Sequence, residues 1–479
     1  MNKMLRFPPV QTKFKKIPLD LRVAGEPWEV RRTRGKALRE RVPRESHAEW
    51  KPPKNRPDPL ALLELSNRGR LAHLVPLRMG RMAFSPFTFL RGSAVVMAWD
   101  LSHTPASGLN VVIDGDAHIN NFGLFGTPQR DVIFDLNDFD EAVIGPWEWD
   151  LKRLVASVNV SGREIGLNRK QRANATMSAV AGYRWNIARL QSVGVLETWY
   201  LHAFADRKLT ILGLRSRGQA NAVAMMEKAV AKAQQQTNHG LLTKIAERTV
   251  SGAWRLREDQ LLTRIDQETK DKVIDGLNAY GDTLTRERRY MLTRYHVADV
   301  AHRVVGVGSV GTRAYLALLF GNGDDDPLFL QVKEAVAPAH GPYVPPLPEA
   351  AKHQGMRVVS GQRALQASSD VMLGWTTIDG RPFFVRQMKN MKGSIPVELL
   401  SGPGLEFYAW SCGAILARAH ARTGDAAVIA GYCGNSTVLD EALAAWAESY
   451  GDQTESDHKL LTTAIKKGKI KAEMVSVAA

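Results

Sequence analysis

Asp114-Gly115-Asp116-Ala117-His118-Ile119-Asn120-Asn121 follows Val111-Val112-Ile113, an apolar run that reads as a β-strand ending in an acidic turn. Asp116 and Asn121 stand five residues apart. A loop with that spacing can set a carboxylate beside an attacking hydroxyl and, next to it, a neutral oxygen suited to Mg²⁺. Fourteen residues beyond Asn121, Asp135 ends a second apolar strand, Val132-Ile133-Phe134, from which its carboxylate could coordinate the same cation. Asp116 is therefore the candidate catalytic base, and Asn121 and Asp135 are the candidate metal ligands. Two other uses of these residues stay open. Asp116, Asp135, Asp138 and Asp140 could be turn and cap residues, since Asp is common at strand ends. Asp114, Asp116, His118 and Asp135 could instead be ligands in a metal-dependent hydrolase, with His118 as the discriminator.

Working outward, Gly306-Val307-Gly308-Ser309-Val310-Gly311 is a G-x-G-x-x-G. That pattern also opens dinucleotide-binding units, where a helix follows it. Here Tyr315-Leu316-Ala317-Leu318-Leu319-Phe320 reads as a strand, giving strand–loop–strand. The next strand, Phe329-Leu330-Gln331-Val332-Lys333-Glu334, carries a lysine that could be an ordinary strand-end residue or a phosphate ligand. With Gly306, Gly308, Ser309 and Gly311 letting backbone N–H groups approach phosphates, Lys333 is placed in an ATP-binding set.

These parts resemble those of the protein-kinase-like fold. G-D-x-H-x-x-N followed by three apolar residues and Asp resembles the aminoglycoside phosphotransferase branch, and Gly145-Pro146-Trp147-Glu148-Trp149-Asp150-Leu151 extends the match. The resemblance implies that Asp150 holds the catalytic loop from beneath and that His118 packs structurally. The kinase order is reversed, because the glycine loop follows the catalytic loop by roughly 190 residues. A circular permutation reconciles the two orders, since termini commonly lie close together. Residues 348–368 then form the helix behind the lysine strand, Phe383 to Met388 leads to the adenine hinge, and helix 404–422 leads into the catalytic loop. At that helix end His420-Ala421-Arg422-Thr423-Gly424-Asp425 imitates a catalytic loop, but the residue five beyond Asp425 is Ala430, which cannot bind metal.

From about residue 60 to 470 the chain is similar to a bacterial family catalogued as domain-of-unknown-function family 2252. The segments that carry the similarity are Ser85-Pro86-Phe87-Thr88-Phe89-Leu90-Arg91-Gly92, GDAHINNFG at 115–123, FDLNDFDE at 134–141, VVGVGSVGTR at 304–313, LFLQVKEA at 328–335 and LARAHARTGD at 416–425. One departure bears on chemistry. The family usually has Glu where this chain has Ser360, and if that Glu partners the strand lysine, the pair is missing here unless Glu349 or Glu334 replaces it.

The chain has 479 residues, enough for more than one core. Its 44% hydrophobic content is that of a folded protein, and its net charge is +15. Residues 1–60 hold sixteen Lys/Arg and seven Asp/Glu, a local excess of +9. They read as an extended basic arm, either merely solvated or favouring an anionic partner. Cys412 and Cys433 are the two cysteines, which excludes a disulfide framework and fits a cytoplasmic setting. No signal peptide and no membrane span is expected.

The expected fold class is α+β: a circularly permuted two-lobe kinase-like fold with a large helical lobe and a small antiparallel β lobe. The arm covers 1–60, a helical lobe with the catalytic and metal loops 61–295, and a β-rich nucleotide-binding lobe 296–395. Helices completing the large lobe and a frayed basic tail take 396–479. The expected function is an ATP- and Mg²⁺-dependent phosphotransferase acting on an unknown acceptor, a small molecule rather than a protein. A nucleotide-binding pseudokinase serving as a regulatory or scaffolding module is the alternative, and the hydrolase a third.

Overall fold

The computed structural model describes residues 25–203, 220–304, 306–345, 352–388 and 391–473. The chain is α+β, with small antiparallel sheets set against a larger mass of helix. Its described strands are β1 (Asn110–Ile113), β2 (Phe122–Gly126), β3 (Val132–Leu136), β4 (Val143–Pro146), β5 (Ala246–Arg248), β6 (Trp254–Leu256), β7 (Leu262–Thr263), β8 (His296–Arg303), β9 (Ala314–Phe320), β10 (Pro327–Glu334), β11 (Gly374–Ile378) and β12 (Arg381–Gln387). β1 pairs with β4, β2 with β3, and β5 with β6, all antiparallel. The remaining strands form one sheet in the order β11-β12-β10-β9-β8-β7.

The turn signals at Gly321-Asn322-Gly323-Asp324 and Asp379-Gly380 act as expected, closing the β9–β10 and β11–β12 hairpins. The strand expected at 304–308 is placed earlier. The pairing segment is His296–Arg303, and the glycines that follow form an irregular loop, because they add no side chains to a sheet face.

The helical body is built from both ends of the chain. Helices Trp147–Glu164 and Arg169–Leu190 pack with Gly402–Ala421 and Val438–Lys466 around a core that includes Trp147, Tyr183, Tyr408 and Trp446. The contact between Arg169–Leu190 and Gly402–Ala421 is backbone-close. A Cβ on Gly182 would sit 2.2 Å from the Trp410 carbonyl oxygen, and one on Gly413 would sit 2.0 Å from that of Ala179.

The stretch expected to be helical up to residue 295 is interrupted by β5, β6 and β7. Helix Gln267–Tyr280 buries Val273, Leu277 and Tyr280 against Val300, Leu330 and Val385 of the six-stranded sheet. The β lobe therefore begins well before residue 296.

The N-terminal segment is not extended over its described part. Trp28–Arg41 is a helix, and its arginines serve the fold. Arg31 pairs with Asp425 at 2.9 Å, while Arg39 and Arg44 donate to the carbonyls of Tyr432 and Cys433. Those carbonyls end helix Ala426–Cys433, where cations are favoured. Residues 1–24 lie outside the described part. The tail is likewise tied down through Glu473, whose N–H donates to the carbonyl of Pro76. Both cysteines are free and buried. Among the described residues no helix is long and apolar enough to cross a membrane.

Candidate functional site

The acidic loop 114–121 is shaped from below. Gly115 has φ +77°, and a Cβ there would lie 2.3 Å from the carbonyl oxygen of Glu141, so the loop closes on the next acidic turn only with glycine. Asp150, in the first turn of helix Trp147–Glu164, accepts hydrogen bonds from the N–H groups of Asp114 (2.7 Å) and Gly115 (2.9 Å). His420 Nε2 reaches the same carboxylate at 3.1 Å, and its other ring nitrogen meets the Tyr183 hydroxyl at 2.9 Å. The look-alike segment 420–425 thus supports the acidic loop instead of acting as one. Its Asp425 is a helix N-cap, accepting from the N–H groups of Ala427 and Val428.

Asp116 faces the cleft. Its Oδ1 receives Arg153 Nε at 2.8 Å and Nη2 at 2.6 Å, and its carbonyl accepts from Asn121 Nδ2 at 2.6 Å. Arg153 is fixed in turn by donation to the Leu90 carbonyl. Burial pushes the Asp116 carboxyl up to about 7, against the pull of Arg153. His118 is buried with its Nε2 3.8 Å from Asp116 Oδ2, and burial holds its ring well below its ordinary value, so it packs as a neutral side chain. Among the described residues no three His, Cys, Asp or Glu side chains converge as a metal-binding group.

Asp135 is placed away from the cleft, which corrects the expectation that it is a metal ligand. Its Oδ1 is engaged by Arg418 and by the Leu136 N–H, and its Oδ2 accepts from the Ala367 N–H at 2.8 Å. Both oxygens of this buried carboxylate are thereby committed to joining β3, helix Gly402–Ala421 and the end of helix Gln354–Leu365.

Further along the same acidic segment, Asp138 and Asp140 do line the cleft. Lys333 Nζ pairs with Asp140 Oδ2 and lies 3.8 Å from Asp138 Oδ2. Burial alone would lower the lysine, but Asp138 and Asp140 outweigh it and hold the ammonium above its ordinary value. Oδ1 of each aspartate is buried and accepts no hydrogen bond. Helix Gln354–Leu365 supplies no carboxylate to Lys333. It offers Arg357, which donates to the carbonyls of Asp140, Ala142 and Val336 and so pins the acidic turn to the segment after β10. Ser360 lies on this helix, and Glu349 is outside the described residues. Glu334 binds Arg313 and Arg381 and leaves Lys333 to the aspartates.

The glycine loop is tied to the N-terminal part of the chain. Arg81 donates to the Gly306 carbonyl at 2.5 Å, and Arg70 to that of Val310 at 2.6 Å. Gly308, Ser309 and Thr312 line the same cavity of about 690 Å³ as Asp116, Asn121, Asp138, Asp140 and Glu141. Leu62, Leu65, Val95, Pro338 and Tyr343 form its apolar wall. Beyond Lys333 the sheet face is covered: Leu241 and Leu242 of helix Asn238–Ile245 pack on Leu316, Leu318 and Phe329. A cavity beside the end of β12, lined by Arg386 and Gln387, holds only about 20 Å³.

Sequence reasoning gave no role in the site to Asp138, Asp140, Arg153 or Arg357. FDLNDFDE announces a dense acidic turn at 134–141, but no local pattern distinguishes which aspartate faces inward.

The fold and site define an α+β protein with a cavity lined by five carboxylates and five arginines, where Gly308 and Ser309 of the glycine loop meet Asp140, the partner of the buried Lys333. The chain belongs to the bacterial family of uncharacterized proteins known as domain-of-unknown-function family 2252, whose profile matches residues 70–464. No curated protein and no solved structure is similar to it by the same kind of comparison.

Proposed function

We propose that this protein is an ATP- and Mg²⁺-dependent phosphotransferase with a circularly permuted kinase-like architecture, acting on a small-molecule hydroxyl. The observation that carries the proposal is the ion pair of the buried Lys333 with Asp140, whose carboxylate lines the cleft together with Asp116, Asn121, Gly308 and Ser309. The permutation draws support from the join between the two halves. Thr423, just past helix Gly402–Ala421, accepts from the Val112 N–H of β1, and a Cβ on Gly424 would lie 2.3 Å from the Val111 side chain. The end of the late helix thus abuts the strand that enters the acidic loop.

The donor set fits the cation. Mg²⁺ is held by one or two carboxylates plus phosphate oxygens and water, not by an all-protein cage. The orphaned Oδ1 atoms of Asp138 and Asp140, with Asn121 beside them, supply hard oxygens of that kind. When bound, the cation would neutralise charge on the phosphates. Lys333 and the glycine loop hold the phosphate chain, and the apolar wall receives the base, because the β12 side is closed. Asp116 accepts the proton of the acceptor hydroxyl, at a pKa suited to a base near neutrality. Arg153 keeps its carboxylate oriented.

A nucleotide-binding pseudokinase is the second reading, favoured by Arg153 occupying one oxygen of Asp116 and by the absence of a helix carboxylate on Lys333. Calorimetric titration with ATP, with and without Mg²⁺, and phosphate release by wild type, Asp116→Asn and Ser360→Glu separate the two. Turnover silenced by Asp116→Asn supports the enzyme. Mg²⁺-dependent binding without turnover, restored by Ser360→Glu, supports the inert module. No ATP binding at all sinks both.

A further inference from the structure

The cleft contains a cation that belongs to neither motif group. Pro86–Gly92 is a short helix with a Ser85–Thr88 capping box, anchored by the buried Phe87, Phe89 and Leu90. Arg91, in its last turn, lines the cleft with Asp116, Asn121, Asp138 and Gly308. Its backbone carbonyl oxygen lies against the glycine loop, 3.4 Å from where a Cβ on Gly308 would be.

Arg68, which also lines the cleft, is exposed, and the remaining cleft arginines are engaged. Arg70 donates to the carbonyls of Ser66 and Val310, Arg78 to Asn67 and the Gly92 carbonyl, and Arg381 to Glu334. The Nε of Arg91 is buried with no hydrogen-bond partner, as is that of Arg78, but unlike Arg78 the Arg91 side chain makes no other hydrogen bond among the described residues. A buried guanidinium donor without an acceptor is costly, and the planar fork of arginine matches the oxygens of a phosphate group. Arg91 stands on a rigid helix, between the loop meant for phosphates and the carboxylate meant for the acceptor.

We propose that Arg91 is an anion post that binds a phosphate-type oxyanion at the Asp116 end of the cleft, and that this anion is the terminal phosphate of the nucleotide. The assignment to a nucleotide rests on the phosphotransferase reading, while the anion post does not. Carrying the transferred group, Arg91 would offset the negative charge that Asp116, Asp138 and Asp140 would otherwise set against it.

The test titrates tripolyphosphate, ATP, ADP and adenosine into wild type, Arg91→Met and Arg91→Lys, with a thermal melt of each variant. Met keeps the apolar stem, and Lys keeps the charge without the fork. The expected result is a loss of about tenfold or more in tripolyphosphate and ATP affinity for Arg91→Met, a smaller loss for ADP and none for adenosine. If tripolyphosphate binding depends on Arg91 but wild type shows no preference for ATP over it, the anion post stands and the nucleotide reading fails. If tripolyphosphate binding is lost but ATP binding is not, the post stands and its anion belongs to the acceptor. Unchanged tripolyphosphate affinity in a folded Arg91→Met overturns the proposal, as does a wild type that binds no tripolyphosphate. Should Arg91→Met not fold, Arg91→Lys decides: a several-fold loss supports the post, and full affinity overturns it.

Discussion

At the end of β3 the carboxylate of Asp135 is enclosed, with Arg418 and two backbone N–H groups on its oxygens. Three residues on, Asp138 opens to the cleft with one oxygen unclaimed and Lys333 at 3.8 Å from the other. Both are aspartates in one acidic segment, and both meet a cation from the distant C-terminal half. What separates them is the number of donors. A carboxylate with both oxygens committed to the fold is a joint, whereas one with an orphaned oxygen in a cavity can take a ligand.

The comparison is broken most sharply at Asp135. Asp135→Ala removes one partner of a buried pair and strands Arg418, so it should cost roughly 3–5 kcal/mol of folding stability. Asp138→Ala touches a partly exposed carboxylate and should cost less than about 1 kcal/mol. Denaturant unfolding of the two variants checks this, and equal losses would erase the distinction.

The next effect is on turnover. Asp116→Asn keeps the shape of the loop and removes the base, so phosphate release should fall by roughly 100-fold or more with ATP affinity little changed. Asp138→Ala should act the other way, weakening Mg·ATP binding by roughly tenfold or more in calorimetry. Full Mg·ATP affinity in Asp138→Ala would return the metal to some other residue.

A milder lever is pH. Asp116 has its carboxyl raised to about 7 and must be ionised to accept a proton. Turnover should therefore rise with pH up to about 7 and level off above it, losing about tenfold for each unit below. A rate flat from pH 5 to 8 would remove Asp116 from the proton path. The smallest effect belongs to the look-alike segment. Asp425→Ala deletes a helix cap and should cost about 1 kcal/mol without changing kcat, as thermal melts and phosphate release would show.

The residues that share the cleft were legible where the parts are local. Asp116 and Asn121 share one tight loop, the glycine loop joins β8 to β9 with Lys333 on the adjoining β10, and Ala430 disqualified the look-alike by its identity alone. Asp150 was reached only through the resemblance, whose motif has an aspartate at that place. Less legible were the short strands β2 and β4 and the interruptions at β5 to β7, each only two to five residues long. Runs of that length carry too little periodicity to stand out from the flanking helix or loop. The N-terminal helix was hidden by its charge, since its stability comes from carbonyls at the end of helix Ala426–Cys433 nearly 400 residues away.

The sequence by itself determined the two motif groups, their order along the chain and the chemistry their side chains can support, because these follow from spacing and residue type. Only the tertiary structure decided which of the aspartates at 135, 138 and 140 line the cleft and which cations answer them. Arg418 reaches Asp135 from 283 residues further along the chain, and Lys333 reaches Asp140 across the lobes. Long-range pairing of this kind is fixed by how helices and sheet pack, and spacing along the chain does not contain it.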